Sequence, residues 1–233
     1  MKKILTVFIC LLFISNIAEA QFHRDNISFG VGPSIIYGDN AGIYSKLRVK
    51  AMPSFSLAYT YDYAQHWDIR TSVGIQFLDA GGIEQAPKKR WLDAHQAYDF
   101  KGQSVYLDIM PVYQFNPIKP GNRKHMISYY AGLGLGVMHV QREAKLGISG
   151  PQNAEGESTW RSVSEDQSTT SLYFPARVGI STNRFKQWDF GVEAVSFIAT
   201  SNDIDGNTNR NKRIKPDMLF QLQFMVKRNL GTW

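Results

Sequence analysis

The segment Ser54–Tyr63 reads SFSLAYTYDY and alternates strictly between two kinds of side chain. Phe55 and Leu57 would point to one side of an extended chain, whereas Ser56 would point to the other. Alternation with a period of two is typical of a β-strand that has one apolar and one polar face. The segment therefore predicts a strand rather than a helix.

The same alternation recurs along the chain and predicts eight strands. Most of these runs have about 10–13 residues, which is longer than the usual 5–6 residues of soluble strands. A tilted strand that crosses a membrane needs about 9–11 residues. The predicted strands lie at or near 27–37, 54–63, 67–77, 105–115, 127–137, 172–181, 188–194 and 220–226.

Long and short connections alternate between these strands. The long ones are 38–50, 79–102, 141–169 and 200–215, and the short ones include 64–66, 116–125 and 183–186. Outer-membrane barrels have short periplasmic turns and longer extracellular loops in this order. Aromatic residues flank the short turns, where a periplasmic girdle is expected, although strands favour aromatic residues in general. They are Tyr61, Tyr63, Trp67, Tyr113, Phe115, Tyr129 and Trp188.

These patterns predict an all-β protein, an eight-stranded antiparallel up-and-down transmembrane β-barrel over residues 21–233. A soluble lipocalin-like barrel would alternate in the same way but would place its large apolar side chains inside. Strand length and the order of the connections favour the membrane barrel.

The first twenty residues, MKKILTVFICLLFISNIAEA, predict a secretory signal peptide. Its apolar run is shorter than the roughly 20 residues of a membrane-spanning helix. Cys10, the one cysteine of the 233 residues, lies in this segment, so neither a disulfide framework nor a four-cysteine zinc site is expected. Cleavage after Ala20 would change the net charge from +6 to +5.

Charged residues of both signs fall on the polar face of the predicted strands, which is the inside of a membrane barrel. The interior of eight strands is just wide enough for side chains, so we expect a packed ion-pair network rather than a wide pore. A proton or ion path is the alternative. The inward charged residues are Asp68, Arg70, Asp108, Arg177, Asp189 and Glu193.

Glycine and proline mark special positions in these strands. Gly132, Gly134 and Gly136 are expected to face inward and to admit bulky neighbours or sharp curvature. Proline cannot donate a ladder hydrogen bond, so we expect bulges or shifted strand limits at its positions. These are Pro33, Pro111 and Pro175.

No constellation of catalytic or metal-ligating residues emerges from the sequence. Asp203–Asn207 resembles the start of a calcium loop, but Lys212 stands where the bidentate glutamate belongs, so a simple turn is favoured. His139 has Glu143 nearby without a serine in the predicted neighbouring strand. We therefore expect a protein that is not an enzyme and has no cofactor or metal. Nucleic-acid binding is not expected, because the basic residues follow no nucleic-acid-binding pattern.

Basic residues gather at the predicted periplasmic end. They form either a docking surface for an acidic periplasmic partner or solvated turns that contact anionic lipid headgroups. The residues are Lys119, Arg123, Lys124, Arg184, Lys186, Lys227 and Arg228.

Three segments together resemble the PorG-like outer-membrane proteins of the Bacteroidota type IX secretion system. Ile27–Gly32 with Tyr37–Asp39 is similar to the family's opening strand and the turn after it, although the spacer and leucine of that turn are missing. Tyr130–Gly136 resembles the family's glycine-rich central strand. Thr200 with Asp203–Asp205 is similar to the segment before the last strand, with an insertion.

This resemblance implies a non-enzymatic protein in the outer membrane, in contact with membrane lipid and with a periplasmic ring of PorK-like and PorN-like proteins that serves protein transport. The basic turns would then be the docking surface. Two other functions stay open: a free-standing barrel for envelope integrity or adhesion through the 141–169 loop, and a lipid-modifying barrel enzyme.

Overall fold

The structure is a computed structural model that describes residues 25–41, 49–82, 86–117, 127–152, 158–182, 187–208 and 216–230. The predicted signal peptide lies outside these residues. The elements are β1 (Asn26–Tyr37), β2 (Met52–Ala64), β3 (Trp67–Asp79), α1 (Lys89–Asp93), β4 (Ala97–Gln114), β5 (Ile127–Leu133), β6 (Leu135–Gln152), β7 (Ser158–Thr182), β8 (Trp188–Ala199) and β9 (Met218–Asn229). No helix among them is long and apolar enough to cross a membrane.

The strands form one closed antiparallel ring. Each strand pairs with its neighbours along the chain, and β9 returns to β1, with Asn26 opposite Asn229 and Tyr37 opposite Met218. β5 and β6 are two halves of one barrel strand, because both lie between β4 and β7. The ring therefore has eight strands and confirms the predicted up-and-down barrel fold. Closure pairs the backbone groups that an open sheet would leave at its two edges.

The break between β5 and β6 lies at Gly134, beside a proline in each flanking strand. Its N–H donates to the carbonyl of Pro175 at 3.0 Å. On the other side, the register with β4 is the same before and after Pro111. Pro33 likewise leaves the register between β1 and β9 unchanged. The expectation of bulges or shifted strand limits is therefore wrong, because all three prolines lie inside strands and each removes ladder bonds locally without inserting a residue.

One predicted long loop is largely strand, and another contains the beginning of a strand. β4 begins at Ala97, inside the expected connection 79–102. β6 continues to Gln152 and β7 begins at Ser158, so that most of 141–169 is a β-hairpin beyond the ring. The sequence pattern missed this hairpin because its outward face is polar, whereas apolar residues such as Ala144 and Leu146 lie on its buried face. This arrangement lacks the apolar outward face that marks a membrane strand.

Candidate functional site

The middle of the barrel interior contains an ionic layer, formed by Arg70, Asp108, Arg177 and Glu193. Glu193 is fully buried and accepts hydrogen bonds from Arg70, 2.7 Å away, and from Arg177 on its other oxygen. Arg177 also reaches Asp108 at 3.5 Å. The layer confirms the predicted network, and Asp68 and Asp189 also lie on the inner wall, nearer the short-turn end.

Three inward tyrosines, which the sequence analysis did not single out, belong to the same part of the barrel. The Tyr130 hydroxyl donates to Glu193 at 2.7 Å, and the Tyr173 hydroxyl donates to Asp108 at 2.9 Å. Tyr106 donates across the barrel to Gln221 at 3.3 Å. The first two bonds supply the buried carboxylates with hydrogen-bond donors beyond the arginines, which lowers the cost of burying charge.

Each of these tyrosine rings packs against a glycine of the adjacent strand. Gly74 faces Tyr106, Gly136 faces Tyr173 and Gly179 faces Tyr130, each pair being in register. A Cβ at any of the three glycines would collide with the ring beside it. The prediction that Gly136 admits a bulky neighbour is thus confirmed, and the neighbour is Tyr173.

Nearer the long-loop end the interior changes to an apolar layer. Its side chains are buried and in mutual contact, and they come from both the strands and the loop after β8. The members include Ile36, Leu78, Phe100, Met138, Val140, Phe197, Ile204 and Leu219. Together with the ionic layer, this packing fills the barrel interior with side chains, as expected for eight strands.

A cap closes the long-loop end; it consists of residues 38–41, which follow β1, and residues 200–208, which follow β8. Asp205 accepts hydrogen bonds from the backbone N–H groups of Asp39 and Asn40. Asn40 and Asn207 both donate to the carbonyl of Ala97, at 3.0 and 2.9 Å. The cap thereby joins two segments that carry the family resemblance although 165 residues separate Asn40 from Asp205.

The cap has the properties of a turn rather than of a metal loop. The N–H of Asn207 donates to the Asp205 side chain at 2.9 Å, and Gly206 has a φ of +77°, which favours glycine. Arg142 reaches the cap from below and pairs with Asp203 at 3.2 Å. Among the described residues, no three side chains come together in a way that could hold a metal ion.

The predicted basic docking residues are only partly described. Lys119, Arg123, Lys124, Arg184 and Lys186 lie outside the described residues. Lys227 lies in the barrel mouth with its ammonium 4.3 Å from the ring centre of Tyr130, so it is an interior residue. Arg228 points outward and lies 5.6 Å from the ring of Trp188.

The mouth at this short-turn end is a small polar vestibule of about 100 Å³. Asp68 accepts from Gln114 at 2.7 Å, and Asp189 accepts from Asn229 at 2.9 Å. The vestibule wall therefore carries carboxylates around Lys227, whereas Arg228 belongs to the outer rim.

The outer surface of the ring is an apolar belt. Large apolar side chains project from all eight strands, and among them Leu133, Leu172 and Phe224 are each at least 65% exposed. Aromatic residues predicted for the girdle project outward at the short-turn end, including Tyr63, Trp67, Phe115, Tyr129 and Trp188. Trp67 and Phe115 both pack on Tyr113, with ring centres 5.1 and 5.3 Å apart.

The upper boundary of the belt is visible in cross-strand rows of outward residues on β4, β6 and β7. From the membrane outward, the rows are Leu107–Val137–Leu172, Val105–His139–Thr170, Gln103–Gln141–Ser168 and Lys101–Glu143–Asp166. The change from apolar to charged takes place over these four rows, which fits the edge of a hydrocarbon core. The hairpin of β6 and β7 beyond this boundary is therefore extracellular when the short turns are periplasmic.

Beyond the membrane boundary, Lys145 of β6 donates to Asp99 of β4 at 2.8 Å, and this bond raises the pKa of Lys145.

His139 lies at this boundary and has a hydroxyl neighbour that the sequence analysis missed. Its Nδ1 lies 2.8 Å from the Thr170 hydroxyl of β7. We expected no serine in the strand beside His139, and the residue opposite it is a threonine. Thr170 lies in the part of β7 that precedes the predicted residue 172.

No known family profile and no curated protein matches the sequence. Among solved structures, the chain is similar to Neisserial surface protein A, with 8% identity, a TM-score of 0.51 and coverage of 90% of this chain and 100% of that one. It also aligns with Ail of Yersinia pestis (16% identity, TM-score 0.45, coverage 90% and 99%) and with the outer membrane protein OprG of Pseudomonas aeruginosa (11%, 0.45, 90% and 97%).

The similarity to Neisserial surface protein A supports the barrel fold. The apolar outer surface of the ring indicates that the barrel lies in a membrane. A closed barrel with a polar and charged middle layer inside and an apolar belt outside is stable in lipid, where strands must have every backbone group paired. The chain is an eight-stranded barrel of the outer-membrane type and is located in the outer membrane.

Proposed function

We propose that the protein is a non-enzymatic structural component of the type IX protein secretion system, embedded in the outer membrane and associated with a periplasmic ring of PorK-like and PorN-like proteins. The observation that carries the non-channel part of this proposal is the filled interior. The ionic layer closes the middle of the barrel, and the cap covers its extracellular mouth. The outer surfaces of the barrel are therefore what can bind a partner.

The assignment to the secretion system rests on the sequence resemblance. Two of its three segments, Tyr37–Asp39 and Asp203–Asp205, meet in the cap through the hydrogen bond from Asp39 to Asp205. A joint role in one structural feature is consistent with their being a related pair of motifs rather than two unrelated short matches.

The proposed docking surface is the basic periplasmic rim. It comprises Lys119, Arg123, Lys124, Arg184, Lys186 and Arg228, whereas Lys227 is assigned to the vestibule by its contact with Tyr130. A rim of this charge would attract an acidic partner surface and would raise its rate of association.

Native pull-down with mass spectrometry tests both the association with the secretion system and the proposed docking surface. Ring proteins are expected to co-purify with the wild type and to be lost when Arg123, Lys124, Arg184 and Lys186 are replaced by Glu. The matched control replaces Lys101 and Arg161, at the opposite end of the barrel, by Glu and should retain the ring. Unchanged co-purification of the rim variant would exclude this docking surface, and absence of ring proteins from the wild type would exclude the machine.

The second candidate is a free-standing barrel that serves envelope integrity or adhesion. The long extracellular hairpin of β6 and β7 favours it, because this hairpin projects beyond the membrane boundary. Shortening the hairpin between Gln141 and Ser168 should then abolish adhesion or weaken the envelope while the folded barrel, which migrates differently on gels before and after heating, persists.

A lipid-modifying enzyme is the third candidate, and the pair His139–Thr170 gives it a concrete test. We expect no turnover of phospholipid or lipid A by the purified barrel. Turnover that disappears in His139→Ala and persists in Gln103→Ala would overturn the non-enzymatic assignment.

A further inference from the structure

The extracellular hairpin has two edges that differ in how they are covered. Along the β6 edge, β4 pairs with β6 as far as Leu146. On the adjoining face of the hairpin, Gly147 lies so close to Leu92 and Pro87 of the α1 region that a Cβ there would collide with both. The β6 edge is thus covered by a strand as far as Leu146.

The β7 edge is open over Thr159–Ser168, as far as the described residues show. β7 pairs with β8 only from Tyr173 onward. Below the open stretch, the cap reaches Thr169 and Ser171 through Asp203 and Ser201. An edge of this length without a bulge or proline is a template for another strand.

The direction of the open backbone groups follows from a single hydrogen bond. Thr200 donates to the carbonyl of Leu172 at 2.9 Å, so the backbone of Leu172 faces the β8 side. Successive residues alternate in direction, and the register of β6 with β7 is constant from Tyr173 to Trp160. The N–H and C=O groups of Trp160, Ser162, Ser164, Asp166 and Ser168 therefore face the open edge.

The side chains along this edge indicate which strand would fit. Trp160 is 38% exposed and packs edge-on against Tyr98, with ring centres 5.8 Å apart. Glu165 and Asp166 lie at the other end, about 20 Å away for six extended residues. Opposite charges across strands stabilise pairing, and an aromatic side chain stabilises an apolar cross-strand neighbour.

We infer that the open edge of β7 over Thr159–Ser168 is a docking site for an extended segment of another extracellular polypeptide, which adds a strand to the hairpin and places basic residues opposite Glu165 and Asp166 and an apolar residue opposite Trp160. This recognition by strand addition does not depend on the periplasmic ring.

A synthetic peptide tests the inference on the full barrel in detergent micelles by NMR amide exchange. The probe acetyl-TTKKTVTEV-amide, paired antiparallel from Ser168 to Trp160, places lysines opposite Asp166 and Glu165 and valine opposite Trp160. Without peptide, the amides of Ser162, Ser164 and Asp166 should exchange fast, whereas those of Val163 and Glu165 should be protected by β6. Saturating peptide should slow the exchange of the Ser162, Ser164 and Asp166 amides at least tenfold, which corresponds to about 1.4 kcal/mol.

Charge exchange provides the decisive control. The peptide with its Lys and Glu residues exchanged should protect the wild type poorly, but should protect the double variant Glu165→Lys, Asp166→Lys. Ser164→Pro should abolish protection by either peptide, since it removes an edge N–H, and Ser164→Thr should not.

Two results would overturn the inference. The first is protection of the Ser162, Ser164 and Asp166 amides in the barrel alone, which would mean that the edge is already covered. The second is unchanged exchange with both peptides, or equal protection by both. Either result leaves the pull-down of the periplasmic ring unaffected, so the two proposals fail separately.

Discussion

The ionic and apolar layers fill the same barrel with opposite chemistry. In the middle, Glu193 and Asp108 are surrounded by two arginines and two tyrosines that bond to them. Above, Phe197 and Leu219 of the strands pack in one buried apolar cluster with Ile204 of the cap. The ionic layer fixes its residues by directed bonds, whereas the apolar layer depends on shape and on the cap that closes it.

The largest expected effect comes from removing one charge in the ionic layer. Glu193→Gln should destabilise the folded barrel by about 3–5 kcal/mol, because Arg70 and Arg177 would remain buried without their carboxylate. Urea unfolding of the barrel in lipid vesicles, followed by gel migration, measures this loss. Asp189→Asn in the polar vestibule is the matched control and should cost much less. A loss below about 1 kcal/mol for Glu193→Gln would contradict the network's dependence on that charge.

The second effect concerns the cap rather than the ring. Asp205→Ala removes the acceptor for backbone N–H groups of Asp39, Asn40 and Asn207 and should cost about 1–3 kcal/mol. The loss should be local, so limited proteolysis should cleave the cap sooner while the heat-dependent gel shift is retained. Asp203→Ala, on a half-exposed side chain, should have the smaller effect. Equal protease resistance of wild type and Asp205→Ala would show that the apolar layer alone holds the cap.

The smallest effect tests the apolar layer by shape. Phe197→Leu preserves apolar character and should cost less than about 1.5 kcal/mol in the same unfolding assay. Phe197 packs on Tyr106 and Tyr173, with ring centres 4.9 and 5.1 Å apart. Phe197→Asn introduces a polar side chain of about the size of leucine and should destabilise the barrel more than Phe197→Leu. Similar losses for both would mean that this layer tolerates polar groups as the ionic layer does.

Much of the candidate site was predictable, and its omissions have a common cause. The inward positions of Arg70, Asp108, Arg177 and Glu193 followed from alternation once strand length and the order of the connections had indicated a membrane barrel with its polar face inside. The inward roles of Tyr130 and Tyr173 were not predicted, because an aromatic residue on the polar face departs from the alternation. Only the register shows that a glycine lies opposite each ring and leaves room for it. The cap could not be predicted because Asn40 and Asp205 are far apart in sequence and no periodic pattern marks a loop contact.

The sequence by itself determined the eight strands and their two faces, because the period of two is a local property that every strand carries. Strand length and the order of the connections then indicated a membrane barrel with the polar face inside. The sequence did not determine where the strands stop, since β4, β6 and β7 continue outside the membrane with a mostly polar outward face. Only the tertiary structure decided which charges meet, which tyrosine lies over which glycine, and which hairpin edge stays open. These are set by register and ring closure, which bring together residues from distant parts of the chain.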